Sequence, residues 1–518
     1  MEARMDQNVY NGTESQEDLK DDNFFFETED LSNNPTDENM AYTKNLQTQP
    51  LENSQDNLNV DGLYHHDKNQ TKNELKSALI VDAGGHRKNY SSPSSNISNR
   101  SFISQRSFLN RTFGPLGKGS LRGSMFQLSA AAIGSGVLSL PFVIAKSGFI
   151  LGSLMIIIAC IAAIISLLML AKCTEQIGAP SYTYLIRKVI ARNVDKHIVW
   201  LIFFGTVGSS VSYQIIITQM IQVLATNVGF EPKKIQSSEV KIAIAAFIAV
   251  FILFPVGSMR KMSGFRYISI LSIASLVYIM FVLLFELPQY ATQNFRYEKL
   301  NYFKLDWDLF SNFSIAFFAF SCHIEFIPIY DEMNEQNPQK VRKLVYRSVG
   351  TNTLFFLSIG LAGYFSTYEK TNQIVIDREP LIGQLIDFPL MIGRIMIVIV
   401  LCIAFPINMV PLKQIMIHLI YSRKHQMTQG QNISMSLAFV MLTSVIAIIY
   451  PNITGILSIV GGICSVTICY VLPTMCYIKL NKEELSLCKK YSLIVFFGTL
   501  SLVGYSSVIL KIILSFSV

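Results

Sequence analysis

Eleven apolar stretches, each long enough to cross a bilayer and set apart by short polar punctuation, constrain this chain more than anything else in it. A helix needs about 20 mostly apolar residues to span hydrocarbon. Such stretches run roughly over 121–146, 149–172, 198–227, 240–256, 263–287, 308–330, 345–367, 387–414, 433–450, 453–477 and 491–515. In hydrocarbon every backbone N–H and C=O must find its partner within the protein, so the expected fold class is an all-α multispanning membrane protein with eleven transmembrane helices. Composition agrees: half of the 518 residues are hydrophobic, 15% are charged and the mean hydropathy is +0.36. That balance excludes an ordinary soluble enzyme.

Charge is unevenly placed. Residues 1–60 hold 14 acidic residues against Arg4, Lys20 and Lys44, a net of −11 in a chain whose total is +7. This polar, Asn/Ser/Asp-rich stretch cannot bury enough apolar surface to offset its chain entropy, so 1–112 is expected to be a disordered acidic cytoplasmic tail and 113–518 the transmembrane domain. It lacks the basic-then-apolar pattern of a signal peptide. With the tail inside, the inner loops carry 17 Lys and Arg and the outer loops eight, the bias expected of a cytoplasmic N-terminus. Topology thus accounts for the positive total, and no nucleic acid partner is implied. All eight cysteines fall in spans or on the inner side, and CxxC pairs of zinc-site spacing are missing, so neither structural disulfides nor a metal site is expected. The sequons at Asn312 and Asn452 each abut a span.

Two of the spans carry residues that weaken helices. The first contains "AAIGSGVLSLPF" (131–142), with Gly134, Ser135, Gly136 and Pro141 inside it. The sixth reads "FSIAFFAFSCHIEFIPIYDEM" (313–333), where Ser321, Cys322 and His323 precede Glu325 and Pro328. Pro141 follows Gly136 by five residues, and Pro328 follows Cys322 by six. Such breaks have a packing explanation, since Gly and Pro are common in membrane helices and GSG permits close helix approach. Interruptions at corresponding places in two halves are also the mark of a transporter whose inverted repeats meet at a substrate site in mid-membrane. The second break comes five spans after the first, which fits a LeuT-type 5+5 inverted repeat plus one helix.

What a broken helix exposes sets the chemistry. The second half of span 1 begins with free N–H groups and the positive end of a helix dipole, suited to a carboxylate. Free carbonyls at the opposing half-helix ends suit an ammonium group or a metal cation. One site of each kind describes an amino acid.

These segments resemble a known family. "FQLSAAAIGSGVLSLPFVIAKSG" (126–148), "GSSVSYQIII" (208–217) and "FAFSCHIEFIPIYDEM" (318–333) are similar to spans 1, 3 and 6 of the amino acid/auxin permease-like family, closest to its sodium-coupled neutral amino acid transporters. The resemblance covers about 118–515 and leaves out the tail. It implies eleven spans in a LeuT-like fold, an inner N-terminus and transport of small amino acids. It also implies that the backbone of Ile133, Gly134, Ser135, Gly136 and Val137 holds the substrate carboxylate, that Phe320, Ser321 and Cys322 face its amino group, and that Tyr213 helps from span 3. A tyrosine packed at a helix interface is the alternative for Tyr213.

The chain departs from the sodium-coupled members at two ion-ligand positions. Ala130 stands where they place an Asn, and the span 8 stretch "LCIAFPINM" has Cys402 and Ala404 where they use a Thr. Sodium wants several oxygens, so losing two weakens its site unless Asn408 or backbone carbonyls replace them. Proton coupling is favoured. His323 changes charge near neutral pH and Glu325 can share its proton; capping of loose backbone ends is the plainer role for both. Arg394 is expected to snorkel toward the outer face.

The function expected is secondary active transport of small neutral amino acids by alternating access, in a plasma or vacuolar/lysosomal membrane. A proton or sodium ion is co-transported, there is no other cofactor, and the protein is a lipid-embedded monomer. An amino acid sensor (transceptor) signalling through the tail is the alternative. Neither a GxxxxGK[ST] loop nor HExxH occurs, so no enzyme is expected.

Overall fold

The computed structural model describes residues 119–191, 194–259, 265–295, 300–384, 386–420 and 427–516. The tail at 1–112 lies outside the described residues.

The chain is helical throughout these segments. The first span comes in three pieces, α1 (Leu121–Ala132), α2 (Ser135–Leu138) and α3 (Leu140–Ser147). Ser120 starts it by accepting the Gly123 N–H at 3.2 Å, an N-cap that satisfies one of the first turn's unpaired donors. The 29-residue α4 (Phe149–Ile177) stops at Gly178, whose φ of 64° suits a residue without a Cβ. A short amphipathic helix, α5 (Tyr182–Val189), leads to α6 (Val194–Asn227), then α7 (Pro232–Ile235) and α8 (Ser238–Ile248). A π-helical turn, Ala249–Leu253, joins α8 to α9 (Phe254–Gly257). The wide turn sits where Pro255 has no N–H to return to the preceding turn. After α10 (Phe265–Asn294) comes the second broken span, α11 (Asp308–Ala319) and α12 (His323–Asp331).

The rest follows as α13 (Pro338–Thr367), two 3-10 turns at Tyr368–Lys370 and Val375–Asp377, α14 (Phe388–Ile420) and α15 (Gln429–Ile449). Then α16 (Ile453–Val460) runs through π stretches Gly461–Ser465 and Thr467–Val471 into α17 (Leu472–Leu480), and α18 (Leu487–Phe516) closes the described chain. Nine helical stretches among the described residues are long and apolar enough to cross a membrane. The first expected span, cut at Ile133–Gly134 and again at Ser139, is not one of them. Nor is α13, whose charge-free part after Arg347 is diluted by Ser348, Gly350, Thr351, Asn352 and Thr353.

Contacts sort the helices. The α13 helix lies on α1, α3, α4 and α10, whereas α6 lies on α14, α15 and α16. The broken helices meet as α3 against α11 and α1 against α12. Several elements touch both groups: α10 packs on α1 and α14, α16 packs on α11 and α6, and α2 packs on α13 and α6. Between helices in lipid there is little hydrophobic driving force, so close backbone approach and interhelical hydrogen bonds matter more. A Cβ on Gly461 would sit 2.0 Å from the Ser314 carbonyl oxygen, so only glycine lets this stretch rest on α11. Buried polar groups link helices as well. Gln214 donates to Ser444 at 2.6 Å, and Lys413 donates to the Gly257 carbonyl, Asn432 and Ser436 at 2.8, 2.6 and 3.1 Å.

Arg394 corrects one expectation. It is only 2% exposed, donating from Nε to the Ile376 carbonyl at 2.7 Å and from Nη2 to the Arg378 carbonyl at 2.9 Å. Snorkelling needs a path to water, and here the loop after α13 lies over the side chain and supplies the acceptors instead. Asn312 of the first sequon is also internal, donating to Ser147 Oγ at 2.9 Å. All eight cysteines are free thiols.

Candidate functional site

The first break is built from backbone. Helix α1 ends at Ile133, whose N–H is shared between the carbonyls of Ser129 at 3.2 Å and Ala130 at 3.1 Å. Ile133 and Gly134 are extended, at φ −81°, ψ 101° and φ −142°, ψ −151°. Helix α2 then restarts at Ser135, so the N–H groups of Ser135, Gly136 and Val137 stand at a helix start with no intrahelical acceptor. The restart is itself short. It ends at Ser139, whose N–H reaches back only to Gly136, 3.1 Å away, and α3 carries Pro141 in its first turn.

Both GSG glycines are tightly enclosed. A Cβ on Gly134 would lie 3.1 Å from the Tyr213 hydroxyl oxygen of α6, and one on Gly136 would lie 3.0 Å from the Ala319 Cα, at the end of α11. The two breaks therefore touch each other, backbone to backbone, with Tyr213 closing one side. Asn408 of α14 is within polar reach of the Tyr213 hydroxyl. The sequence's span 1, 3, 6 and 8 candidates thus converge.

The second break is tighter. The Phe320 N–H goes to the Phe317 carbonyl and the Ser321 N–H to that of Phe318, at 3.3 and 3.0 Å, short-range bonds that end α11. Cys322, at φ −136°, ψ 17°, precedes the restart at His323. Phe320 is buried edge-on against Phe356 of α13, the centroids 5.0 Å apart. Ser321 Oγ lies 3.2 Å from the Cys469 sulfur. Glu325 falls in the first turn of α12, in contact with its own backbone N–H, where a carboxylate complements unpaired donors.

His323 turns away from the gap toward α4. Its Nε2 is 2.6 Å from Ser166 Oγ, and that hydroxyl is also 3.2 Å from the Ala163 carbonyl. A serine has one hydrogen to give. If it goes to Ala163, Nε2 carries the imidazole proton and Nδ1 is the basic nitrogen. That Nδ1 is buried and has no hydrogen-bond partner, beneath the edge of Tyr470, whose ring centroid is 6.4 Å away.

Ser166, Ser139, Cys469 and Tyr470 had no signal in the sequence, being single polar residues within apolar runs. The structure places Ser166 against His323 and Cys469 against Ser321, and picks out Ser139 and Tyr470 by an oddity they share with Ser135 and His323. Ser135 Oγ, Ser139 Oγ, His323 Nδ1 and Tyr470 Oη are all buried without a partner, although an unsatisfied buried polar group costs about 1–3 kcal/mol. They flank the two breaks. Among the described residues no group of three His, Cys, Asp or Glu is placed to hold a metal ion.

Comparison with known proteins bears on this arrangement. Residues 117–514 match the profile of the family described as "Transmembrane amino acid transporter protein". The chain is 22% identical over 374 residues to the vacuolar amino acid transporter 5 of Schizosaccharomyces pombe, covering 70% of this chain and 85% of that protein. It is likewise 22% identical over 428 residues to the human sodium-coupled neutral amino acid transporter 4, covering 70% of this chain and 78% of that one. Equal identity to both does not single out the sodium-coupled branch. Among solved structures, MhsT in complex with L-phenylalanine superimposes with a TM-score of 0.52 at 16% identity, over 76% of this chain and 99% of that one; the likeness is one of LeuT-type fold. With the family profile matched across all the spans, the chain belongs to the transmembrane amino acid transporter family, a family of carriers rather than enzymes.

Proposed function

We propose that this protein is a secondary active transporter of small neutral amino acids that works by alternating access, coupled to protons rather than sodium. The observation that carries the reading is the contact of two helix breaks, Gly136 against Ala319, beside buried hydroxyls that lack partners. A zwitterion placed there would give its carboxylate to the N–H groups at 135–137, with Ile133 and Gly134 leaving room for it. Its ammonium group would face the carbonyls of Phe320, Ser321 and Cys322. Tyr213 closes the pocket from α6. His323, Glu325 and Asn408 are the groups proposed to handle the coupling ion, His323 through its unpartnered nitrogen.

The proposed arrangement is eleven spans with the N-terminus cytoplasmic: the nine long apolar stretches, the three-piece first span and α13. Paired contacts support a 5+5 repeat. The contact of α1 with α10 has its counterpart five spans later in α11 with α16, and that of α10 with α13 has its counterpart in α17 with α4. The membrane is proposed to be plasma or vacuolar, and the working unit a monomer.

Counterflow of a labelled amino acid panel into proteoliposomes tests the function. The expected result is exchange of small neutral amino acids that survives replacement of sodium, and accumulation that vanishes when the pH gradient is collapsed. Absence of exchange for every amino acid would overturn the reading; accumulation that follows sodium would overturn the coupling. His323→Gln is expected to flatten the pH dependence of exchange, and an unaltered profile removes His323 from the proton path.

A further inference from the structure

A second set of buried charges lies far from the breaks in sequence, where the loop between α13 and α14 folds down. Arg378 of this loop is 3% exposed and donates through Nη2 to both Glu286 of α10 and Asp387 at the start of α14, the latter at 2.9 Å. Its guanidinium is stacked on Tyr290 of α10 at 3.5 Å. The Tyr290 hydroxyl donates to Asp387 at 2.9 Å, with the Glu379 carbonyl as a second acceptor 3.2 Å away. On the neighbouring side, Asp377 accepts from Gln219 of α6 at 2.7 Å and feels the charge of Arg394, which holds the loop's carbonyls. Tyr278 of α10 also faces the acids; the Glu379 side chain, in solvent, is the remaining charge nearby.

The charges do not balance. Arg378 and Arg394 face Asp377, Glu286 and Asp387, two cations against three carboxylates. Nor is Arg378 used to full effect. A guanidinium neutralises best with two parallel bonds along an edge, yet both acids converge on one nitrogen while Nε and Nη1 are left with no hydrogen-bond partner. Asp387 is the better satisfied acid, taking Arg378, Tyr290 and the Leu390 N–H at 3.0 Å. Glu286 has Arg378, and shares that one nitrogen with Asp387. Two carboxylates gathered on one donor repel each other, and a proton held by one of them relieves the repulsion.

We propose that Glu286 is a proton-binding site, sharing its proton with Asp387, and that the loop at 371–384 closes over α6, α10 and α14 as that proton is taken up. This deepens the proton-coupled reading above and rests on its topology, in which the loop lies on the non-cytoplasmic side. It adds a site distinct from His323 and Glu325. Closing the loop buries Thr371, Ile374, Val375, Ile376 and Arg378; with Glu286 ionised it would also bury an excess negative charge, which is costly. Acid on that side then favours the closed loop, and loss of the proton releases it.

Hydrogen exchange of the full-length protein in lipid nanodiscs, corrected for intrinsic rates, tests this without relying on transport. In the wild type, amides of 371–378 should exchange about tenfold more slowly for each pH unit of acidification, the linkage of one proton. Glu286→Gln, which keeps the donor that a protonated acid would offer, should hold the loop protected at both mildly acidic and neutral pH; Glu379→Gln should behave as wild type. Equal wild-type protection at the two pH values overturns the proposal, and so does Glu286→Gln with an unaltered pH dependence. Protection gained at neutral pH on adding sodium would assign the site to a metal cation and overturn it too. Should counterflow fail while this pH dependence holds, the amino acid reading falls and the proton site stands.

Discussion

The two helix breaks and the loop cluster handle burial in opposite ways. At the breaks backbone is exposed to backbone, and Ser135, Ser139 and His323 each keep a buried polar atom without a partner. In the cluster the groups are charged, and each acid is tied to at least one partner from another element. A buried polar atom left unpaired is a cost the fold does not recover by itself. Where several such atoms flank a gap, the gap is suited to something that arrives and leaves. A cluster whose acids are each tied to another element holds those elements together, and a change in its charge is what loosens it. The first is the pattern of a binding site and the second that of a latch.

The contrast is broken most severely by Gly136→Val. Its Cβ would meet the Ala319 backbone at 3.0 Å, and neither backbone can yield without separating the two breaks. Counterflow should fall more than 100-fold, about 3 kcal/mol or more in transition-state terms, while the purified protein still elutes as a single species. Retained exchange would mean that the breaks need not touch. Arg378→Met should act on stability instead. It leaves Glu286 and Asp387 buried without their guanidinium, a loss of about 3–5 kcal/mol where a buried pair is cut, read as a large drop in melting temperature at neutral pH. Ser135→Ala sharpens the same comparison from the other side. Its hydroxyl has no partner to lose, so stability should hold or rise, and substrate affinity should weaken by about fivefold, the worth of one ordinary hydrogen bond near 1 kcal/mol.

Much of the proposed site was legible because the sequence wrote it in helix breakers. Gly134, Gly136, Pro141 and Pro328 interrupt apolar runs, and interruption is visible without knowing what lies opposite. Tyr213 and Asn408 were recoverable only through the family resemblance, since nothing local distinguishes a tyrosine in "SVSYQIII" from a packed one. Ser166 and Tyr470 were not legible at all: their roles arise from contacts across 157 residues, for Ser166 with His323, and between rings, for Tyr470. The loop cluster was misread for a related reason. Sequence alone sends Arg394 to water, because pairing across α10, the loop and α14 has no sequence spacing to announce it. The fold was easier, since hydropathy reports each span separately, but α13 shows the limit. Its polar early turns leave only 345–367 of a 30-residue helix visible as an apolar run.

The mildest test concerns Asp377, which belongs to the latch yet lies outside the spans. Burial pushes its carboxyl above the ordinary carboxylate range, against the opposing pull of the Gln219 hydrogen bond and the Arg394 charge. An acid whose pKa is higher folded than unfolded binds its proton more tightly when folded, so it adds stability as pH falls through the raised value and withdraws it as pH rises. Wild-type melting temperature should therefore gain on mild acidification, and Asp377→Asn, permanently neutral and still able to meet Gln219, should lose part of that gain. The Glu286 proton contributes to the same trend, so the variant's remaining gain measures how much belongs to the carboxyl pair. If Asp377→Asn keeps the whole of it, the pH response resides in Glu286 and Asp387 alone; if it keeps none, the pair binds no proton on closure and the latch is one of charge without titration.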